Sequence, residues 1–340
     1  MADGGEGTVD AFLASGALAR TARVSGPLGE PVDARFAREG EVAILEMSAA
    51  SGLELVPAAA RDVLAATTFG TGQLIRAALD DGAKRIVLGI GGSATNDGGA
   101  GALAALGVRF LNAEGVAFAP SPACLMRIAS IDVRGLDPRL ADVAFEIACD
   151  VDNPLLGPSG ATAIYGPQKG AIGPIAERAE RGLGVLADAI AAATGRDLRM
   201  LPGAGAAGGL GFGLASFAGA RLRRGVDVVA DVRGLAAALA GAAYCITGEG
   251  RIDLQTLHGK TVAGVADCAR AAGVAVYALG GSVDSAVEPA LFERGVVCVP
   301  ICAAPMTLTD AMAGALDLVR TAAARIARSR RILLRPADEI

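Results

Sequence analysis

Lysine is rare in this chain. Lys84, Lys169 and Lys260 stand against 28 arginines, and the only side-chain amides are Asn96, Asn112, Asn153, Gln73, Gln168 and Gln255. Asn96, Asn153, Gln168, Lys169, Gln255 and Lys260 all fall in glycine-rich stretches. A lysine supplies a compact charge with three donors that a planar guanidinium does not reproduce, and an amide supplies a donor and an acceptor together. The clearest stretch is Gly91-Gly92-Ser93-Ala94-Thr95-Asn96-Asp97. Its glycines let backbone approach a ligand, Ser93, Thr95 and Asn96 add donors, and a helix starting after it would offer unpaired N–H groups to a phosphate. A tight turn with Asp97 as helix cap explains part of the same pattern.

A second stretch runs from Gly248-Glu249-Gly250-Arg251-Ile252-Asp253 to Gly259-Lys260-Thr261. Leu254 stands where a standard phosphate loop needs its first glycine, so that motif is absent, although the order strand, loop, Gly-Lys-Thr, helix is kept. Lys260 at a helix start suits charge on a transferring phosphoryl group. Glu249 and Asp253 suit a Mg²⁺ ion or the proton of an attacking hydroxyl, and Arg251 suits a carboxylate; paired surface charges are the plain alternative. Asp150, Asp152 and Asn153 gather oxygens but lack the glycine and distal glutamate of a calcium loop. Either they serve Mg²⁺, which needs only one or two carboxylates plus phosphate oxygens, or they form a self-capped turn. Gln168 and Lys169 in Gly166–Gly170 read as ligand contacts or as caps. His258 is the only histidine, and without a Cys/His cluster it argues against zinc. Gly89–Ala94 and Gly203–Gly208 also fit dinucleotide spacing, without a persuasive acidic ribose partner. They keep open an NAD(P)-dependent dehydrogenase of a small hydroxy acid.

These loops need strands to present them. Short β-branched runs at 42–47, 85–90, 143–149, 244–247, 274–279 and 296–301 alternate with Ala/Leu-rich helical stretches at 72–81, 100–106, 174–193, 208–222, 262–272 and 308–329. That alternation predicts an α/β protein with a parallel sheet, whose ligands bind beyond the strands' carboxyl ends. With 340 residues, 52% hydrophobic and 20% charged, the chain can fill two cores. A net charge of -5 argues against a nucleic-acid partner. Residues 200–220 lack charge but carry seven glycines and Pro202, which predicts a buried loop and helix rather than a membrane span. Six cysteines without C-x-x-C spacing, and acidic residues near Met1, predict a reduced, cytoplasmic setting.

Read together, the chain resembles the bacterial glycerate kinase family. The likeness is carried by Asp3–Thr8, Ser25–Gly29, Glu46–Gly52, Thr67–Gly72, Gly89–Gly101, Cys149–Gly160, Gly166–Gly170, Pro202–Gly211 and Thr247–Lys260. It implies two α/β domains of Rossmann or flavodoxin-like type, one inserted in the other: 1–66 with 286–340, and 67–285. It further implies transfer of the ATP γ-phosphoryl group to D-glycerate with Mg²⁺, giving 2-phosphoglycerate or 3-phosphoglycerate. The expected machinery is Lys260, Asp253, Glu249 and Asp97 for chemistry, and Arg251, Asp3, Gln168 and Lys169 for substrate. Gly91, Gly92, Ser93, Thr95 and Asn96 are expected on ATP, and Asp150 and Asp152 on the metal. A homo-oligomer is left open. Members of the family begin a few tens of residues earlier, with a strand ending Pro-Asp-Ser-Phe-Lys-Gly, so the natural chain is expected to be longer. An inactive, shortened member is the remaining alternative.

Overall fold

The computed structural model of the chain describes residues 5–258 and 261–333. Its contacts divide after Val228 into two α/β units. The division differs from the one expected at 66/67 and 285/286, because strands flanking each of those points pair with one another in a single sheet.

The first unit opens with α1 (Thr8–Ala14) and the strands β1 (Leu18–Ser25), β2 (Pro31–Glu39) and β3 (Val42–Glu46). Helix α2 (Phe69–Asp80) leads to β4 (Arg85–Gly89) and α3 (Ala100–Ala105). Three short strands, β5 (Arg109–Leu111), β6 (Ala117–Phe118) and β7 (Ser130–Asp132), form a separate antiparallel sheet. After β8 (Ala144–Ala148) come α4 (Pro174–Thr194), α5 (Leu210–Phe217) and β9 (Arg221–Arg223). The main sheet runs β1-β2-β3-β4-β8-β9, antiparallel through β3 and parallel from there.

Strands β3 and β4 read Val-Ala-Ile-Leu-Glu and Arg-Ile-Val-Leu-Gly, the unbroken apolar runs of strands covered on both faces. Ile44, Leu45, Ile86 and Leu88 are fully buried, each contributing roughly 1.5–3 kcal/mol of transfer free energy. On one face α2 lays Leu74 and Ile75 into a core with Leu45, Leu88 and Ile147. A second core joins Leu103, Phe110, Leu183, Leu186 and Phe212. Lys84 stands exposed at the amino end of β4, its N–H on the Glu41 carbonyl.

The second unit holds a parallel sheet of β10 (Cys245–Ile252), β11 (Val276–Val283) and β12 (Val296–Pro300). Helix α6 (Thr261–Ala271) packs Val262 and Ala266 against Ile252 and Val276, and α7 (Ala315–Leu333) seats Ala322 and Ile326 on Leu279. Three expectations need correction. Strand β10 runs on to Ile252, so Glu249 and Arg251 lie on a strand; pairing with β11 continues as far as Ile252 with Val283. The helix expected over 208–222 stops at Phe217, and the chain then forms β9. The helix expected over 308–329 is two, Leu308–Ala313 and α7. No described helix is long and apolar enough to cross a membrane.

Candidate active site

A cavity of about 510 Å³ opens at the carboxyl ends of β4 and β8, where parallel sheets bind ligands. Its wall includes Gly91, Gly92 and Ser93 after β4, Asp150 after β8, and Gln168. The turn is held from one side: Leu53 N–H donates to the Gly92 carbonyl at 2.7 Å, and Ala94 N–H donates to the Ser51 carbonyl at 2.9 Å. Gly92 has φ +68°, a left-handed conformation that favours glycine, and its open side faces the movable carboxylate of Glu6. The N–H groups of Gly91, Gly92 and Ser93 bond to no other described residue. Gly91 and Gly92 are exposed. Three unpaired donors on a glycine turn are what an anion requires.

The rest of the loop turns inward, which corrects the expected roles of Thr95, Asn96 and Asp97. All three are fully buried and none lines the cavity. Asn96 Nδ2 donates to Thr162 Oγ1 at 3.1 Å, while Asn96 Oδ1 and Thr95 Oγ1 have no partner among the described residues. Asp97 Oδ2 accepts from Thr68 N–H (2.8 Å), Thr68 Oγ1 (2.9 Å) and Gly101 N–H (3.1 Å), and its Oδ1 accepts from Gly99 N–H (3.0 Å). Burial pushes this carboxyl up from the usual range, and the four donors pull against that. Asp97 thus takes the amides at the start of α3 that a phosphate was expected to find. Gly208 packs against the same backbone: a Cβ there would lie 2.1 Å from the Thr95 carbonyl oxygen.

Lys169, expected on substrate, is 1% exposed and lies behind the loop. Its Nζ donates to Ser93 Oγ at 2.6 Å and to the Thr95 carbonyl at 2.7 Å. Burial draws its ammonium down to about 7, and the charge of Asp97 works in the other direction. Its neighbour Gln168 reaches the cavity instead.

Beyond β8, Asp150 Oδ1 accepts from Gly225 N–H at 2.9 Å. Asp152 is exposed and does not line the cavity. Asn153 is a loop brace: it accepts from Tyr165 OH at 2.6 Å and donates to the Ser159 carbonyl at 2.8 Å. No three acid, histidine or cysteine side chains converge among the described residues. Asp150 lines the cavity, and Mg²⁺ needs only one or two carboxylates because it keeps waters and takes phosphate oxygens. A larger cleft, about 1040 Å³, adjoins the first residues of β4, β8 and β9, but its buried Glu146 is neutralised by Arg85 and Arg223.

In the second unit, Glu249 accepts a short hydrogen bond from Thr256 Oγ1. Asp253 pairs with Arg251 Nε at 3.2 Å and accepts from Gln255 N–H at 2.9 Å, which caps the turn that follows. Arg251 is largely exposed. Asp3 and Lys260 lie outside the described residues.

Residues 1–331 match the model of the Glycerate kinase family. The chain belongs to that family. It is 47% identical over 333 residues to a glycerate kinase of Bacillus subtilis strain 168, covering 97% of this chain and 87% of that one. It is 44% identical to a glycerate 2-kinase of Escherichia coli K12, covering 99% and 89%. The crystal structure of a candidate glycerate kinase 2 from Salmonella typhimurium LT2 superposes with a TM-score of 0.85 at 45% identity, covering 98% and 88%.

In this glycerate kinase family member, residue types alone missed Glu6, Tyr165 and Ala207, all of which line the cavity. Glu6 belongs to the Asp3–Thr8 stretch that carries the resemblance, so a signal was present. Ala207 gave none: it is the one non-glycine residue among those described with positive φ, 52°. The dinucleotide spacing at Gly203–Gly208 has no strand before it.

Proposed function

We propose that this chain is a glycerate kinase that transfers the γ-phosphoryl group of ATP to D-glycerate, giving 2-phosphoglycerate, with Mg²⁺. The observation that carries the reading is the Gly91–Ser93 turn, which lies on a cavity beside Asp150 and whose three N–H groups have no partner among the described residues. Family membership supplies the acceptor. The cavity's size suits a polyphosphate chain and a three-carbon acid.

The amides of Gly91, Gly92 and Ser93 hold phosphate oxygens. Asp150, with Asp152 nearby in sequence, holds Mg²⁺, which when bound neutralises phosphate charge. Gln168 orients glycerate, together with Asp3, and Arg251 takes its carboxylate. A glycerate hydroxyl oxygen forms the new bond to the γ-phosphorus as the bond to ADP breaks. Asp253 or Glu249 receives the hydroxyl proton, and Lys260 balances charge on the transferring group. Positioning and electrostatics supply most of the acceleration, since phosphoryl transfer leaves little covalent chemistry to the protein.

ADP release coupled to NADH oxidation, run with D-glycerate, Mg²⁺ and ATP, tests this directly. Phosphorus NMR of the product distinguishes 2-phosphoglycerate from 3-phosphoglycerate. ADP release that does not depend on D-glycerate overturns the proposal.

A further inference from the structure

Lys169 is the largest charged side chain that is less than 2% exposed in the first unit. An ammonium has three donors and no acceptor. Its bond to Ser93 Oγ, at 2.6 Å, therefore has one polarity while the amine is protonated: the serine oxygen accepts. The Thr95 carbonyl, the other partner at 2.7 Å, is also an acceptor. Ser93 is mostly buried but lines the cavity wall, so the proton of its hydroxyl has the cavity as its outlet.

We propose that Lys169 is a positioning residue that fixes the Ser93 hydroxyl as a donor to an anionic oxygen of the ligand. It does so from inside the protein, by occupying the acceptor side of that hydroxyl. Without the ammonium, two acceptors are left side by side, and the Ser93 O–H turns onto the Thr95 carbonyl instead of the cavity. The inference rests on the reading that this cavity takes the phosphate chain of ATP. It adds a side-chain donor and its orienting partner to the three amides.

A double-mutant cycle tests it. Ser93→Ala, Lys169→Met and the double variant are titrated calorimetrically with inorganic tripolyphosphate at about pH 6, where Lys169 keeps its proton, and KM for ATP and for D-glycerate are measured separately at the same pH. Losing one hydrogen bond to a charged group weakens affinity roughly tenfold or more. The expected result is such a loss in each single variant, no further loss in the double, and a raised KM for ATP with KM for D-glycerate unchanged. Additive losses, an unaffected Lys169→Met, or wild-type protein that ignores tripolyphosphate overturn it. If Lys169→Met does not fold, Ser93→Thr, which keeps the hydroxyl, should bind like wild type while Ser93→Ala does not; equal binding by both overturns it. Coupled tripolyphosphate binding without turnover of D-glycerate sinks the kinase reading alone, and turnover without coupling sinks this inference alone.

Discussion

Burial of Lys169 ties its protonation to folding. The unfolded chain holds this proton until about pH 10.5, whereas the native protein releases it near pH 7. Unfolding therefore takes up a proton between those values, and stability rises with pH across that window, by up to ~1.4 kcal/mol per unit. Urea unfolding of wild type against Lys169→Met, from pH 6.5 to 9, should show this rise in wild type only; parallel curves would place the proton elsewhere. Rarity in the sequence singled out Lys169, yet it gave no sign of which way the side chain points. Ligand contact and interior brace demand the same donors, and only burial separates them. Asp97 repeats the lesson: a carboxylate before a helix suits either a metal or the helix's own amides, and here Thr68, Gly99 and Gly101 take it.

Elements place the turn. The parallel strands 42–46, 85–89 and 144–148 were legible to within two residues, because strands covered on both faces leave unbroken apolar runs. Strands β1 and β2 were not. Their arginine-rich alternation, as in Leu-Ala-Arg-Thr-Ala-Arg-Val-Ser, reflects a half-solvated antiparallel ribbon. Strand β10 was cut short because Gly248 and Gly250 read as loop. Close packing of the 206–209 turn on the Thr95–Asn96 backbone holds the inner half of the Gly91–Asp97 loop. Gly208→Ala places a methyl 2.1 Å from the Thr95 oxygen, whereas Gly219, with nearly the same φ of +65°, has open space around it. Gly219→Ala should cost only the left-handed strain, about 1–2 kcal/mol. Gly208→Ala should cost a further 1–3 kcal/mol for overpacking and weaken ATP binding. Equal losses in chemical denaturation would show that the turn is not packed as described.

At the scale of the whole molecule, a net charge of -5 does nothing to attract a polyphosphate, so on the proposed reading attraction is local, from the Gly91–Ser93 turn, Mg²⁺ and Lys260. A ligand bound only by the native state stabilises it by about 2.7 kcal/mol at one hundred times its Kd. Thermal melts should rise with ATP and Mg²⁺ and fall back on adding EDTA, while NADH leaves them unmoved. A shift with NADH alone would revive the hydroxy-acid dehydrogenase. The scarcity of lysine has a practical corollary. Lys169 is sealed away and Lys84 stands exposed at the opposite end of β4 from the glycine turn, so a resin or dye that couples to lysine side chains on the first unit will find one handle, set apart from the cavity.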